Sequence, residues 1–326
     1  MMKNNRLVKK LLGIPELTVS IIVLLSILVL SLVTPYFLTS SNILTLLTGL
    51  ATDGIIVIGM TMVLIIGMID LSVGSIMGMV CMIVATLTKA GVNVWIAAVI
   101  GFVIGVLCGA INGILIGKYK LNNFITTFAM QSILAGVTLL ASQGKSISPK
   151  ADSPGYAAFK FIGQGDILGI PMIVIVLFVF IIIGDLLLRK FTKFRELYYI
   201  GSNTRAAEVS GINVEKTILS VYMISAALAS IAGIISLSRF GASTPTTGVD
   251  APMSAISAAV IGGASLNGGA GTVLGAFLGV ILINIIDNGL ILLNVSVYGR
   301  DLISGLLLMV AIIADRISNS KKSKSL

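Results

Sequence analysis

The stretch from Arg189 to Lys216, RKFTKFRELYYIGSNTRAAEVSGINVEK, carries nine charged side chains and lies between two apolar halves of the chain. Apolar runs of about 20 residues, the length that crosses a bilayer, stand on both sides of it. The stretch is therefore typical of a polar loop on the cytoplasmic side of a membrane protein. We expect the two halves to form one transmembrane unit, residues 1–326, joined by this loop at residues 189–216.

Within the loop, residues 203–212 have the pattern of a short helix parallel to the membrane. Asn203 is a candidate N-cap, and Ser210-Gly211 supplies the glycine at which helices often end. The candidate docking residues combine small side chains, which let another protein approach closely, with charged side chains for a polar rim: Asn203, Arg205, Ala206, Ala207, Glu208, Ser210 and Gly211. An ordinary solvated loop fits the same pattern.

Composition places the chain among membrane proteins. Hydrophobic residues make up 56% and charged residues 11% of it, whereas a soluble domain carries about 25% charged residues. The predicted fold is all-α: a polytopic membrane protein with about ten transmembrane helices, some of them short and broken. The absence of histidine excludes His-based acid–base chemistry. Cys81 and Cys108 lie inside apolar runs, where thiols behave as small hydrophobic groups.

The apolar runs give the predicted bounds of the spans: 17–33, 43–66, 75–88, 94–117, 124–142, 170–188, 217–237, 252–263, 272–293 and 302–314. Glycine-rich breaks at 67–74 and 262–271 interrupt the apolar pattern. Glycine recurs at every fourth position in span four and again in span nine, a spacing that lets helix backbones approach closely. These two spans occupy matching places around the central loop, a match that a five-plus-five inverted repeat would produce; glycine-rich spans are also frequent in membrane proteins without a repeat.

The basic residues predict the orientation of the spans. The segments predicted to lie inside hold four basic residues in the N-terminal tail, two at Lys118 and Lys120, six in the central loop and four in the C-terminal tail. The other six of the 22 lysines and arginines fall outside, in agreement with the positive-inside rule. Both termini are therefore expected in the cytoplasm. The net charge of +9 orients the chain and does not indicate a nucleic-acid partner.

Polar side chains within the apolar runs are candidate contacts for a neutral solute with many hydroxyl groups, because such groups normally face a bundle interior or a water-filled path. The candidates are Asp53, Asp70, Ser72, Asn112, Asn267, Asn284, Asp287 and Asn288. Five of them are predicted to line the substrate pathway: Asp70, Ser72, Asn112, Asn267 and Asn288. For each, a cap or a hydrogen bond between helices is the alternative, and Asp70 in particular could cap the third span.

The sequence offers no catalytic residues, no metal ligands and no cofactor site. The segment nearest to a nucleotide-binding loop, residues 113–119, lacks the four residues between the glycines and the Ser or Thr after the lysine that a P-loop requires. We therefore expect the chain not to bind ATP and not to be an enzyme.

Several motifs, taken in order, cover nearly the whole chain. They are Gly59-Met60-Thr61, Ile69-Asp70-Leu71-Ser72-Val73-Gly74, Ile111-Asn112-Gly113, Phe124-Ile125-Thr126-Thr127, Ala206-Ala207 with Ser210-Gly211-Ile212, and Ala258-Ala259-Val260-Ile261-Gly262-Gly263 up to Gly271 with Asn288-Gly289-Leu290. Together they resemble the ribose-type permease subunits of bacterial ABC sugar importers. The chain departs from the family at Asp53, where relatives usually have a neutral residue, and at Asp287, where a second Asn is frequent.

The resemblance implies a multi-pass permease of the bacterial inner membrane that translocates a ribose-like monosaccharide. It implies three protein partners: a second permease copy, separate ATPase subunits on the cytoplasmic side, and an extracytoplasmic sugar-binding protein. The loop at 189–216 then takes the place of the coupling helix. Two alternatives remain. One is a secondary transporter with Asp53, Asp70 or Asp287 as the proton carrier, and the other is a permease of the same family for nucleosides or another small polar solute.

Overall fold

The computed structural model describes residues 15–306, 309–310 and 313, and it confirms the predicted all-α fold. Its helices are, in chain order, α1 (Pro15–Val33), α2 (Ser40–Ile65), α3 (Val73–Lys89), α4 (Val94–Gly117), α5 (Asn123–Ser142), α6 (Tyr156–Gln164), α7 (Met172–Lys190), α8 (Thr192–Ser202), α9 (Thr204–Val209), α10 (Val214–Phe240), α11 (Ala251–Ile261) and α12 (Val273–Leu292). Residues 297–306 are helical as well. Between α6 and α7, β1 (Asp166–Ile167) pairs antiparallel with β2 (Ile170–Pro171).

Seven helices of the described part are long and apolar enough to cross a membrane: α1, α2, α4, α5, α7, α10 and α12. Two more apolar helices are shorter, α3 with 17 residues and α11 with 11. These nine helices correspond to the first nine predicted spans, and no helix end differs from its prediction by more than three residues. The tenth predicted span, 302–314, lies partly outside the described residues, and both basic tails lie wholly outside them.

The polar stretch at 189–216 contains more helix than predicted. The short helix expected at 203–212 is confirmed as α9, since the Asn203 Oδ1 atom accepts the N–H of Ala206 at 3.0 Å and the chain turns at Gly211 with φ of +86°. Helix α8, which precedes α9, was not predicted. This helix is stabilised by burying Leu197 and Ile200 against the bundle, and that contact exists only in the folded protein.

The connecting segments gather at two ends of the bundle. The basal end carries residues 66–72, 118–122, 191–213 and 262–272, and the distal end carries 34–39, 90–93, 143–171, 241–250 and 293–296. At the basal end the Tyr198 hydroxyl donates to the carbonyl oxygen of Gly271 at 2.8 Å. At the distal end Ile147 and Ser243 form an isolated β-bridge. The long distal segment also contains α6 and the hairpin.

The glycine spacing in α4 produces the close helix contact that it predicts. A Cβ atom added at Gly109 would lie 2.6 Å from the carbonyl oxygen of Tyr222, and one at Gly113 would lie 2.7 Å from the Cα atom of Leu219, both in α10. The corresponding glycines of α12 face α11, where a Cβ at Gly279 would overlap the Ala258 carbonyl. Larger residues at these positions would force the helices apart.

The two short helices begin inside the bundle. After α2 ends, the chain turns back from the basal end, and Asp70 reaches Ser225 of α10, about 16 Å along that helix from its first residue. From the distal end, residues 241–250 enter the bundle until Gly248 meets Gly74 backbone to backbone. The starts of α3 and α11 are therefore neighbours in the interior, each preceded by an irregular segment whose polar backbone the surrounding protein must satisfy.

Candidate functional site

A cavity of about 560 Å³ opens between α2, α11, α12 and the helical residues 297–305. It extends toward the distal end, where the helical residues 297–306 begin. Its lining is Asp53, Asp250, Met253, Ser254, Ser257, Ile283, Asn284, Asp287, Val297, Arg300, Asp301, Ser304 and Gly305. The volume lies in the range of small-molecule sites, about 300–1,000 Å³.

The cavity wall is rich in hydrogen-bond acceptors. Among the described residues it holds four carboxylates and one guanidinium, and that guanidinium pairs with one of the four, Arg300 Nη1 to Asp287 Oδ1 at 3.2 Å. Asn284 fixes another, because its Nδ2 atom donates to Asp53 Oδ2 at 3.4 Å. Asp250 directly precedes α11 without capping it. Each carboxylate offers two oxygen atoms that accept hydrogen bonds from hydroxyl groups, so the wall suits a neutral solute with many hydroxyls and disfavours an anion.

Three of the predicted pathway residues form a second, closed cluster. Asp70, Ser72 and Asn112 are fully buried. Asp70 Oδ1 accepts from the backbone N–H of Ser72 at 2.9 Å and from its hydroxyl at 2.6 Å, while Oδ2 accepts from the Ser225 hydroxyl at 3.2 Å. Asn112 Nδ2 donates to Ser72 Oγ at 2.9 Å, and its Oδ1 atom is buried without a hydrogen-bond partner among the residues that the structure describes. The cluster thus binds the start of α3 to α4 and α10 and keeps one unused acceptor.

The other two predicted pathway residues lie elsewhere. Asn288 and Asn42 form a buried reciprocal pair between α12 and α2, with distances of 2.8 and 3.0 Å. This geometry matches the alternative interpretation of such residues, a hydrogen bond between helices. Asn267 is exposed at the basal end. None of the five residues lines the distal cavity.

The polar cavity residues that the sequence did not single out are Asp250, Ser254, Ser257, Arg300, Asp301 and Ser304. Asp250 could have been found by analogy with Asp70, because both acids lie shortly before a short helix, Asp70 three residues before α3 and Asp250 directly before α11. Nothing in the sequence pattern marked Arg300 and Asp301 as site residues, because charged residues between predicted spans are typical of a solvent-exposed loop. Asp53, Asn284 and Asp287 stood out as polar groups in apolar runs, and only the fold brings them to one wall.

The predicted docking residues form most of an exposed surface on α9. Arg205, Ala206, Glu208 and the following Ser210 and Gly211 are exposed. Val209 adds an apolar side chain that is 82% exposed. Ala207 differs from the prediction, because it is 3% exposed and packs within its own chain. A larger residue at Ala207 would therefore disturb the fold before it could disturb a partner.

Comparisons with known proteins identify the family of the chain. Residues 42–312 match the family described as branched-chain amino acid transport system / permease component. The ribose import permease of Haemophilus influenzae is 34% identical over 93% of this chain and 93% of its own length, and that of Bacillus subtilis is 37% identical over 89% of each. The D-allose transport system permease protein of Escherichia coli is 35% identical over 88% of this chain and 87% of its own. No solved structure matches the chain. A family match over most of the residues, with relatives of this identity along almost their full length, shows that the chain belongs to this family of transport-system permease components.

Proposed function

We propose that the chain is the transmembrane permease subunit of an ABC importer and carries a ribose-like monosaccharide across the bacterial inner membrane. The observation that carries this proposal is the carboxylate-lined distal cavity, which offers hydroxyl-binding groups inside an apolar bundle. The names of the relatives, permeases for ribose and D-allose, point to the same class of solute. A nucleoside or another small polar solute is the nearest alternative.

In this proposal the basal end faces the cytoplasm and the distal end faces outward. Lys118, Lys120 and the six basic residues of the central stretch then lie inside, as the positive-inside rule requires. Both termini are cytoplasmic, and the chain crosses the membrane ten times. An inverted repeat is supported by the packing, because α4 contacts α3 and α10 as α12 contacts α11 and α2. Asp70 and Asp250 take matching places in the two halves, each before a short helix.

The solute path begins in the distal cavity and continues past Asp70, Ser72 and Asn112 toward Asn267 at the cytoplasmic mouth. The unused Asn112 Oδ1 acceptor supports a solute contact in that cluster. The cluster is sealed in this conformation, so the path through it opens only when the segment at 66–72 moves. An extracytoplasmic binding protein delivers the solute, ATPase subunits dock on α9, and a second permease copy completes the path.

We expect the reconstituted chain to transport its solute only when its ATPase partner and ATP are supplied. The chain lacks a phosphate-cradling loop of its own, so ATP hydrolysis must come from the partner. Solute uptake into liposomes, measured with and without the ATPase and with an imposed proton gradient, tests this. Uptake by the chain alone, driven by the proton gradient, would establish the secondary transporter instead.

We expect Asp53→Asn to reduce transport about fivefold, the equivalent of one hydrogen bond worth about 1 kcal/mol. The amide keeps the contact with Asn284 and removes one acceptor from the cavity wall. Asp152→Asn is the matched control, because Asp152 is an exposed carboxylate of the distal segment 143–171 and does not line the cavity. Equal transport by both variants would remove Asp53 from the solute path.

A further inference from the structure

The basal end holds a seam of four glycines, Gly67, Gly201, Gly268 and Gly269, at which three separate segments meet through their backbones. Gly201 lies near the end of α8, Gly67 follows α2, and the other two belong to the loop between α11 and α12. The Gly269 N–H donates to the carbonyl oxygen of Ile65 at 2.8 Å. The seam therefore joins the segment that carries the docking surface to both breaks in the membrane helices.

Contacts at Gly201 and Gly268 leave no room for side chains. A Cβ atom added at Gly201 would overlap the Ile65 carbonyl oxygen and lie 2.5 Å from the Gly269 nitrogen. One at Gly268 would lie 2.8 Å from the Gly201 carbonyl oxygen and 2.9 Å from the Gly67 nitrogen. Backbone atoms cannot change rotamer, so a displacement of α8 cannot be absorbed at these contacts and must move both neighbouring segments.

A tyrosine reinforces the seam on the same helix. The Tyr198 hydroxyl donates to the Gly271 carbonyl oxygen at 2.8 Å. Burial raises the pKa of the Tyr198 hydroxyl above its ordinary value, and the nearby Asp185 carboxylate acts in the same direction. A tyrosine hydroxyl is protonated at physiological pH even at its ordinary pKa of about 10, so this hydroxyl is a proton donor and attaches α8 to the residues just before α12.

Each segment beyond the seam leads to a polar site. Residues 66–72 run from the seam to the Asp70 cluster at the start of α3. The loop 262–272 is continuous with α11, whose other end lines the distal cavity with Asp250 and Ser254. An eleven-residue helix is about 16 Å long, so α11 links the basal seam to the cavity wall as one rigid body.

We propose that Gly201 and Tyr198 are positioning residues that convert movement of the docking helices α8 and α9 into simultaneous movement of both helix breaks, which couples ATP hydrolysis to opening of the solute path. The proposal rests on the proposed function, because it requires an ATPase that acts on α9. It adds that coupling depends on direct backbone contact at one place and not on the docking contact alone.

The test compares three variants of the full chain reconstituted with its ATPase and binding protein: Gly201→Ala, Tyr198→Phe and Gly136→Ala. Gly136 lies in α5, where an added Cβ meets nothing within 4 Å, and serves as the matched control. The measurements are folded yield, ATPase binding, ATP hydrolysis and solute uptake in the same liposomes. We expect Gly201→Ala to bind the ATPase normally while the ATP consumed per solute rises at least about threefold, with a smaller rise for Tyr198→Phe and none for the control.

The outcomes separate the two proposals. Wild-type protein without ATP-dependent uptake would overturn the proposed function. Wild-type uptake with an unchanged ATP-to-solute ratio in Gly201→Ala would overturn the coupling role of the seam alone. If Gly201→Ala does not fold, Tyr198→Phe decides, since it removes a single hydrogen bond, and an unchanged ratio in that variant would equally overturn the proposal.

Discussion

Replacing Val209 with aspartate is expected to abolish ATP-driven transport while the protein folds and inserts at the wild-type level. Val209 is 82% exposed at the end of α9, so the change costs little in the isolated chain. In a docked complex the new carboxylate would be buried without a partner, at a cost of about 2–5 kcal/mol or a loss of affinity of roughly 30- to 5,000-fold.

The measurement is ATPase binding to the detergent-purified chain, together with uptake in liposomes. Val209→Thr is the matched control, because threonine has nearly the same shape and carries no charge. Ala206→Trp supplies a second, steric disruption of the same exposed surface. Ala207→Trp is unsuitable because Ala207 is buried, and a substitution at Gly211 would be strained by its φ of +86°. Unaltered binding by both Val209→Asp and Ala206→Trp would mean that α9 is an ordinary solvated segment and not the docking site.

The second large effect is expected at Asp70. Asp70→Leu should prevent folding, because it leaves the Ser72 N–H, the Ser72 hydroxyl and the Ser225 hydroxyl buried without their acceptor. Each buried group without a partner costs about 1–3 kcal/mol, and a typical protein has only about 5–15 kcal/mol of stability. Asp70→Asn should fold, since the amide can accept from Ser72 and donate to the Ser225 oxygen.

Asp70→Asn then tests the solute path. If Asp70 meets the hydroxyl groups of the solute, the amide offers fewer acceptors, and transport should fall at least about tenfold, the equivalent of about 1.5 kcal/mol. Thermal unfolding and uptake of the Asn and Leu variants are measured side by side, with Asn288→Asp as a comparison at a buried pair that does not line the distal cavity. Normal transport by Asp70→Asn would limit Asp70 to joining α3, α4 and α10.

The sequence by itself determined the class and most of the elements. A helix that crosses a bilayer must be apolar over about 20 residues and must form its backbone hydrogen bonds within itself. The positions of such helices can therefore be predicted from local composition. Residues 94–117, for example, are predicted and observed with the same bounds. Asn203 and Gly211 fix the ends of α9 through local hydrogen bonding and backbone conformation, which explains why that short helix could be predicted as well.

Only the tertiary structure decided which polar groups act together. Asp53, Asp250 and Arg300 are far apart in sequence and meet in one cavity because α2, α11 and the residues after α12 pack side by side. A glycine in the sequence indicates that another segment packs closely against it, but the spacing of glycines does not identify that segment. Gly201 stands in a polar stretch with no repeat, and only the fold shows it against Ile65 and Gly269. Local sequence thus determines where the helices form, whereas the distal cavity and the basal seam depend on contacts between segments that are distant in sequence.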